Sequence, residues 1–531
     1  MRQRRVMSMV AAMLGLALLA APVAAAQTPP AEFGSDWHDP VTAAPPIATP
    51  DTRSCTVTVA ETRFKDFTPY TGTYTPPAAC GTRWSKVVLH LDGSVAGRQY
   101  DRLGYLHIGG VEVLRTSTPE PSPDGISWSV EKDVTRYAST LRAEQPVEML
   151  IGNVVDDTYT GILDVKVTLT FYTAAGRTKA AAAPDRVIPL SGTALTTPRN
   201  SERIVAEVYA TGSGGGCEEF WYLAVPPDVP YSCQAGDDGP NREVRVTVDG
   251  QLAGIAAPFP HVWTGGWSNP FLWYVIPGPR AFDVQPVEYD LTPFAGLLND
   301  GKEHQVEVSV AGVPEGQSGW SAPTNILIWQ DAHRTHVTGA LTVHKESDPV
   351  AATSYDPGGS DTDLRTLDAD GSHSLTLSGY VNTSHGRVTT TVRRTLTAAS
   401  THTWNADETT DALTGRWTDD ETRTVDAATT RTRRAYTMDG EITIGSDNRL
   451  RTVISLGDHN RTDTRTDTGV VRTRLDDAYT GDATWTLGVP RDQRQAVGTS
   501  TERYRLTSGG SCYDRTLETE QGTLTQDRQR C

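Results

Sequence analysis

The first half of the chain alternates apolar and polar residues over short runs, and this alternation predicts strands. Val87, Leu89 and Leu91 occupy every second position of one such run, which is the spacing of a strand with one buried face. Two-residue turns, Gly109-Gly110 and Asp249-Gly250, separate pairs of runs and predict β-hairpins. No long run of helical period competes with this pattern. We therefore expect an all-β fold.

A short motif occurs twice and predicts two related domains. Residues 133–137, Asp-Val-Thr-Arg-Tyr, are followed by a Leu and then by a strand-like run. Residues 290–294, Asp-Leu-Thr-Pro-Phe, are followed by a Leu pair and another strand-like run. Each motif also comes after one of the Gly-containing hairpins. Because order and chemistry match, we expect two antiparallel, jelly-roll-like sandwiches in tandem.

Changes in composition set the predicted limits of these units. The first sandwich is predicted for residues 51–175 and the second for residues 187–346, with an Ala-rich tract between them. A linker rich in Pro, Gly, Ser and Asp then leads to residues 364–531, where Thr and alternating charges predict a β-rich accessory domain. Residues 27–50 are rich in Pro and Ala without periodicity, which predicts an extended arm.

Residues 1–26 have the pattern of a secretory signal peptide. Arg2, Arg4 and Arg5 precede an apolar run, and the run ends at the small residues Ala24-Ala25-Ala26. The apolar run is too short to span a membrane comfortably. We therefore expect a secreted, extracellular protein with no membrane attachment after cleavage of the signal.

The charge balance argues against nucleic acid as a partner. The chain has 65 acidic and 48 basic residues and a net charge of -17, and no Lys/Arg stripe is interleaved with aromatic residues. The sequence contains neither a CxxC nor an HExxH motif, so we predict no metal site and no cofactor.

Six cysteines in an exported chain predict three disulfides. Among the alternative pairings we favour those between sequence neighbours, one in each predicted unit. These are Cys55 with Cys80, Cys217 with Cys233, and Cys512 with Cys531.

The stretch from residue 214 to residue 274 combines carboxylates with many aromatic residues. Glu218 and Glu219 lie within the predicted Cys217 to Cys233 loop, and Trp221 follows them closely. A carboxylate beside apolar groups has a raised pKa, which suits acid–base chemistry, and aromatic faces suit sugars. The alternative is that the aromatic residues form sandwich core and that Glu218 is a solvated charge.

Asp101 is a further candidate acid. It lies just ahead of the first hairpin, as Glu219 lies upstream of the second. If the two sandwiches pack side by side, these acids come from equivalent edges, and we expect them to face each other at the interface. The alternative is that Asp101 and Arg102 form a local surface salt bridge.

From about Ser54 to Lys345 the chain resembles the peptide:N-glycosidase A family of amidases. The resemblance rests on ordered blocks that include Asp101-Arg102, residues 109–121, 128–137 and 158–161, and then residues 219–222, 226–228, 249–250, 258–260, 264–266 and 289–294. It implies hydrolysis of the amide between an asparagine side chain and the first N-acetylglucosamine of N-glycosylated peptides or proteins. The products would be a glycosylamine and an aspartate, and no cofactor is implied.

A weaker likeness to the flavobacterial peptide:N-glycosidase F implies roles for single residues. Asp101 matches a catalytic aspartate in a Trp-Asp-Arg run and would act as general base. Glu219 matches a glutamate after a cysteine and would hold the water or supply the proton. The third acid has no clean counterpart, and Asp156 is our candidate. Arg102 would keep Asp101 ionised or polarise the carbonyl. The aromatic residues expected to flank the chitobiose core are Trp221, Trp263 and Trp267.

Two other functions fit the same residues. A sandwich can bind N-glycopeptides through aromatic platforms without cleaving them. Alternatively, Asp101 and Glu219 could be the acid pair of a glycosidase.

Overall fold

Almost all regular structure in this protein is antiparallel β-sheet, which confirms the predicted all-β class. The computed structural model describes residues 33–213, 217–223, 225–233, 241–263, 269–313, 319–360 and 363–531. The predicted signal peptide lies outside these residues. The helices within them are a single α-helical turn, Ala295–Leu298, and short 3-10 helices at Ala78–Cys80, Thr135–Tyr137, Thr140–Arg142, Glu218–Phe220, Pro270–Leu272, Thr292–Phe294 and Arg491–Gln493. No helix in the described part of the chain is long and apolar enough to cross a membrane.

The first sandwich consists of two four-stranded sheets. Its strands in chain order are β1 Ser54–Phe64, β2 Tyr70–Tyr74, β3 Trp84–Val95, β4 Leu103–Ile108, β5 Val111–Ser117, β6 Ile126–Asp133, β7 Gln145–Ile151 and β8 Leu163–Thr173. One sheet has the order β1-β8-β3-β6 and the other β2-β7-β4-β5. The alternating Val87, Leu89 and Leu91 of β3 have no exposed surface and pack into the core between the sheets.

The second sandwich repeats this arrangement. Its strands are β9 Arg186–Leu190, β10 Ala194–Leu195, β11 Ser201–Val208, β12 Thr211–Gly212, β13 Glu243–Val248, β14 Gln251–Ala256, β15 Val287–Asp290, β16 His304–Ala311, β17 Trp320–Ser321 and β18 Thr324–Gln330. β12 and β17 pair with each other, and the remaining strands have the orders β9-β18-β11-β15 and β10-β16-β13-β14. With β12 and β17 set aside, each strand has a counterpart at the same position in the sheets of the first sandwich. The shared strand order fits the predicted pair of related sandwiches.

The repeated sequence motif forms the same contacts in both sandwiches. Thr135 begins a 3-10 helix, and its Oγ1 accepts a hydrogen bond of 2.9 Å from the amide of Val87 in β3. Thr292 begins the equivalent helix, and its Oγ1 accepts a hydrogen bond of 3.2 Å from the amide of Ile204 in β11. Each copy of the motif therefore caps the equivalent turn against the equivalent strand of its own sandwich, which explains the repeat.

A buried polar network joins the two sandwiches. Arg115 and Glu112 of β5 form an ion pair of 2.7 Å, and their side chains are 2% and 1% exposed. Arg115 also donates to the carbonyl of Tyr209, at 3.0 Å, in the second sandwich. Asn325 of β18 donates to the carbonyl of Glu112, at 2.8 Å. Because all these groups are buried and paired, they fix how the sandwiches lie side by side.

A large antiparallel sheet follows, as its Thr-rich composition predicts. Its strands are β19 Thr338–Glu346, β20 Val350–Asp356, β21 Arg365–Thr383, β22 Gly386–Trp404, β23 Thr410–Val425, β24 Ala428–Ile444, β25 Arg449–Thr466, β26 Gly469–Thr486, β27 Val497–Ser508, β28 Ser511–Glu520 and β29 Thr523–Gln529. They pair in chain order from β21 to β29, and both β19 and β20 pair with β21. Residues 338–346, which composition assigned to the second sandwich, thus hydrogen-bond to the third unit. Composition set the limit of the domain but could not predict which sheet this strand joins.

This sheet, which we call the C-terminal sheet, packs on the second sandwich and on the arm. Tyr479 donates to the carbonyl of Leu272 at 2.8 Å, and its ring lies 4.6 Å from that of Trp273. Trp37 of the arm stacks on Tyr274 of the second sandwich, with ring centroids 4.2 Å apart. The described part of the predicted arm has no helix or strand, but Trp37 is buried.

The three predicted disulfides are confirmed. Cys55 pairs with Cys80, Cys217 with Cys233, and Cys512 with Cys531, with Cα atoms 5.5 to 6.0 Å apart.

Candidate functional site

Asp101 lies where the two sandwiches meet, in the loop that leads into β4. The loop is held in place by Thr118, whose Oγ1 accepts a hydrogen bond of 2.9 Å from the amide of Arg102. Asp101 is half-buried and lines a small pocket. The first sandwich contributes Ser117, Thr118, Pro119 and Glu120 to this pocket, and the second contributes Val262, Trp273, Tyr274, Pro277, Gly278, Ala281 and Phe282.

Glu219 approaches Asp101 from the second sandwich. It lies in the 3-10 helix Glu218–Phe220, directly after Cys217, and is half-buried. Burial raises the pKa of Glu219 to about 7, and the negative charge of Asp101 contributes to this rise. Asp101 and Glu219 are more than a hundred positions apart in the sequence, and yet they interact electrostatically in the folded protein.

The neighbouring Glu218 has a different environment. Its side chain is fully buried and accepts two hydrogen bonds of 2.9 Å from the guanidinium of Arg242. The indole of Trp320 donates to the same carboxylate. At Gly212 an added Cβ would lie only 2.0 Å from the carbonyl oxygen of Glu218, so glycine is needed for this close approach. Glu218 thus anchors the short helix, while Glu219, which is not among the residues that line the Asp101 pocket, interacts electrostatically with Asp101.

Arg102 adjoins Asp101 but is turned towards Gln99. Its Nε donates to Oε1 of Gln99 at 3.1 Å, and its guanidinium carbon lies 6.0 Å from the centre of the Tyr100 ring. Burial lowers the pKa of Arg102, and the charge of Asp101 opposes this. The arginine is therefore within electrostatic reach of Asp101 while its hydrogen bonds orient it along the loop.

Two of the predicted sugar-binding tryptophans are buried. Trp221 and Trp263 are 7% and 6% exposed, and their indoles donate at 2.7 Å to the carbonyls of His261 and Gly212. They pack behind the site. Trp267 lies outside the described residues. The aromatic residues that line the Asp101 pocket are instead Trp273, Tyr274 and Phe282. These three residues are themselves 3% to 4% exposed, so burial does not separate them from Trp221 and Trp263.

The predicted third acid, Asp156, lies in an exposed turn. Its Oδ1 accepts hydrogen bonds of 2.7 Å from the amides of Thr158 and Tyr159, and it is not among the residues that line the Asp101 pocket. Glu120 does line that pocket. Sequence reasoning gave Glu120 no role, although it lies in a block that carried the family resemblance.

One group of described residues has the composition of a metal site. Ligand atoms of Glu202, Asp331 and His385 lie within 4.8 Å of one another. The Asp331 carboxylate already accepts hydrogen bonds from Ser384 and from the amide of His333. These residues belong to the second sandwich and to the turn between β21 and β22, and none of them lines the Asp101 pocket.

The arrangement of Asp101 and Glu219 suits proton transfer near neutral pH. Two carboxyl groups whose charges repel each other hold one proton more readily than none, which leaves one of them as base and the other as acid. A group with a pKa of about 7 both accepts and releases a proton efficiently at neutral pH.

Comparisons with known proteins identify the family of the chain. The family model for peptide N-acetyl-beta-D-glucosaminyl asparaginase amidase A matches residues 44–347. Peptide-N4-(N-acetyl-beta-glucosaminyl)asparagine amidase A of Prunus dulcis is 32% identical in an alignment of 384 residues that covers 65% of this chain and 66% of that relative. Two solved structures of PNGF-II, in space groups C2 and P21, align with 54% and 52% of this chain and with 66% of theirs, at 16% and 15% identity and TM-scores of 0.38 and 0.37. Because the family model covers more than half of the sequence, this chain belongs to the peptide N-acetyl-beta-D-glucosaminyl asparaginase amidase A family.

Proposed function

We propose that this protein is a secreted amidase that hydrolyses the bond between an asparagine side chain and the first N-acetylglucosamine of N-glycosylated peptides and proteins. The observation that carries the proposal is the electrostatic interaction of the half-buried Glu219 with Asp101, which lies in the pocket where the two sandwiches meet. Membership of the family and the name of the Prunus dulcis relative support the same reaction. Three disulfides support export to an oxidising compartment.

The reaction needs a base, an acid and stabilisation of an oxyanion. Asp101 takes a proton from water, and the water oxygen attacks the amide carbon. Glu219, protonated below its pKa of about 7, gives its proton to the leaving nitrogen as the carbon–nitrogen bond breaks. The products are an aspartate side chain and a glycosylamine. Arg102 lies close enough to act electrostatically on the developing charge.

The pocket around Asp101 also supports a role for Glu120. Trp273, Tyr274 and Phe282 form an apolar wall of the pocket, although each is only 3% to 4% exposed. Glu120 lies in the same pocket as Asp101, and we propose it as the third acid in place of Asp156.

The mass of a glycopeptide after incubation with the protein tests the reaction. The amidase leaves Asp at the glycosylation site, and in isotopically labelled water the label enters the Asp carboxyl group. A glycosidase that cleaves within the chitobiose leaves Asn bearing N-acetylglucosamine, with the label on the sugar. A binding protein leaves the glycopeptide unchanged. Either of the last two results would overturn the proposal.

Replacement of Asp101 tests its role as the base. We expect Asp101→Asn to lower kcat by about 10²–10⁴-fold and to leave glycopeptide binding intact, because Asn keeps the shape of Asp but cannot take the proton. Asp92→Asn is the matched control, since Asp92 is an exposed residue of β3 that does not line the Asp101 pocket. A fully active Asp101→Asn variant would remove this residue from the mechanism.

A further inference from the structure

The C-terminal sheet holds one end of the disulfide loop that carries Glu219. The hydroxyl of Tyr231, near the end of this loop, donates to Oδ2 of Asp411 in β23 at 2.6 Å. The other oxygen of Asp411 lies 2.7 Å from Nε2 of His402 in β22. Tyr231 is 7% exposed, and Asp411 and His402 are 2% exposed. This is a buried contact in which both carboxylate oxygens are used.

Two more contacts hold the same part of the loop. The amide of Ser232 donates to Oε1 of Glu408 at 3.1 Å. The indole of Trp404 donates to the carbonyl of Pro230 at 3.3 Å. Residues 230–232 are therefore bound to the C-terminal sheet at each position, through backbone and side chain together.

The held end of the loop is joined directly to the helix that carries Glu219. Cys233 follows Ser232 and forms a disulfide with Cys217, which is the residue before Glu218–Phe220. Beyond the helix, the ring of Trp221 packs edge-on against Trp417 of β23, with centroids 5.3 Å apart. The C-terminal sheet thus contacts the loop on both sides of Glu219.

Tyr222 interacts electrostatically with both Glu219 and Asp411. It is fully buried, and burial raises its pKa, with contributions from the charges of both Glu219 and Asp411. The charge of Glu219 in the candidate site and the charge of Asp411 in the C-terminal sheet therefore act on the same buried side chain.

We propose that Asp411 is a positioning residue for Glu219, and that the C-terminal sheet takes part in amide hydrolysis by holding the disulfide loop through Tyr231. The inference rests on the proposed function, because it assigns the C-terminal sheet a role in that same reaction. It does not give Asp411 any contact with substrate.

Loosening of the disulfide loop changes the pKa of Glu219. Its pKa is high because the side chain is buried and interacts electrostatically with Asp101. The other ionisable groups near it are Tyr222, which its charge affects, and the ion-paired Glu218 and Arg242. If the loop loosens, water reaches the carboxyl group and its pKa falls towards the ordinary value of 4.5. The alkaline limb of the activity profile, where Glu219 loses its proton, then moves to lower pH.

Three variants of the full-length protein test the inference. Tyr231→Phe and Asp411→Asn each weaken the link to the loop. Asp419→Asn is the matched control, because Asp419 is also a residue of β23 and 2% exposed, but it pairs with Arg394, which contacts the second sandwich at Glu288. The measurements are kcat and KM on a glycopeptide as a function of pH, and the melting temperature of each variant.

We expect Asp411→Asn and Tyr231→Phe to lower kcat on the order of tenfold with little change in KM, because a small displacement of a reacting group has a large effect on rate. We also expect the alkaline limb to move to lower pH in both variants and not in Asp419→Asn. The variant that combines Tyr231→Phe with Asp411→Asn should lose no more activity than Asp411→Asn alone, since both substitutions break the same hydrogen bond. The inference is overturned if all three variants lose thermal stability alike while kcat and the alkaline limb stay as in the wild type.

A second readout separates this inference from the proposed function. The titration of Glu219 can be followed by NMR of carboxyl-labelled protein, in a difference spectrum against Glu219→Gln. A shift of that titration to lower pH in Asp411→Asn supports the positioning role even if the wild type cleaves no glycopeptide. An unchanged titration in Asp411→Asn contradicts the role even if the wild type is active.

Discussion

Two adjacent glutamates illustrate what sequence can and cannot predict for a single residue. The carboxylate pair and its aromatic neighbours were visible in the sequence, and the family resemblance selected Glu219. That Glu218 would be neutralised was not visible, because its partners Arg242 and Trp320 are 24 and 102 positions away. The proximity of Glu120 to Asp101 was not visible for the same reason, since it is a property of the folded loops.

The raised pKa of Glu219 predicts how its replacement changes stability with pH. Folding raises this pKa from 4.5 to about 7, so the stability that the protonated group contributes is complete below pH 4.5 and is lost as the pH rises through 7. Above pH 7 we expect Glu219→Gln to be more stable than the wild type by about 2 kcal/mol, with no difference near pH 4.5. Urea unfolding at several pH values measures this. Glu303→Gln, at an exposed position, should show no such pH dependence.

Glu218 should respond in the opposite way. Glu218→Gln leaves the guanidinium of Arg242 buried without its counter-charge, which costs about 3–5 kcal/mol in the free energy of unfolding. Urea unfolding at neutral pH measures this loss. A loss below about 1 kcal/mol, which is typical of exposed ion pairs, would contradict the anchoring role of Glu218.

At the scale of elements, local patterns predicted the strands but not all of their partners. Alternation identified β3, and the Gly-containing turns identified the β4–β5 and β13–β14 hairpins, because a two-residue turn sets the pairing of its own strands. The repeated Thr motif predicted the duplication, because the capping contact is local to each sandwich. The pairing of β19 with β21 depends on chain segments about forty residues apart, and no local pattern encodes it.

The disulfide loop is the element whose loss should affect both stability and rate. Replacement of Cys217 and Cys233 by Ser removes a cross-link with a sequence separation of 16, which is worth about 3 kcal/mol. It also separates the held residues 230–232 from the helix that carries Glu219. We therefore expect a lower melting temperature together with a lower kcat. The double Ser variant at Cys512 and Cys531 is the control, since that disulfide cross-links the end of the chain, far in sequence from Glu219. Equal loss of kcat in both variants would contradict a specific role for the loop.

At the scale of the whole molecule, the site exists because the two sandwiches pack side by side. The sequence indicated this arrangement only through the duplication and the expected proximity of Asp101 and Glu219. The interface itself depends on Arg115, which lies in β5 and reaches the backbone of the second sandwich. A buried arginine in an apparently ordinary strand carries no local signal of this role, so sequence reasoning gave it none.

Arg115 therefore provides a test of whether interface geometry controls the site. Arg115→Ala leaves the buried carboxylate of Glu112 without its guanidinium partner and with the imidazole of His107 at 3.2 Å. We therefore expect a loss of about 3–5 kcal/mol in the free energy of unfolding and a fall in kcat as Asp101 and Glu219 move apart. Arg63→Ala breaks an exposed pair with Asp164 and should cost less than about 1 kcal/mol with normal kcat. The double variant Arg115→Met with Glu112→Leu removes both charges and should recover much of the stability. If kcat also recovers fully in that variant, the polar contacts serve stability alone, whereas a kcat that stays low shows that they set the geometry in which the two acids meet.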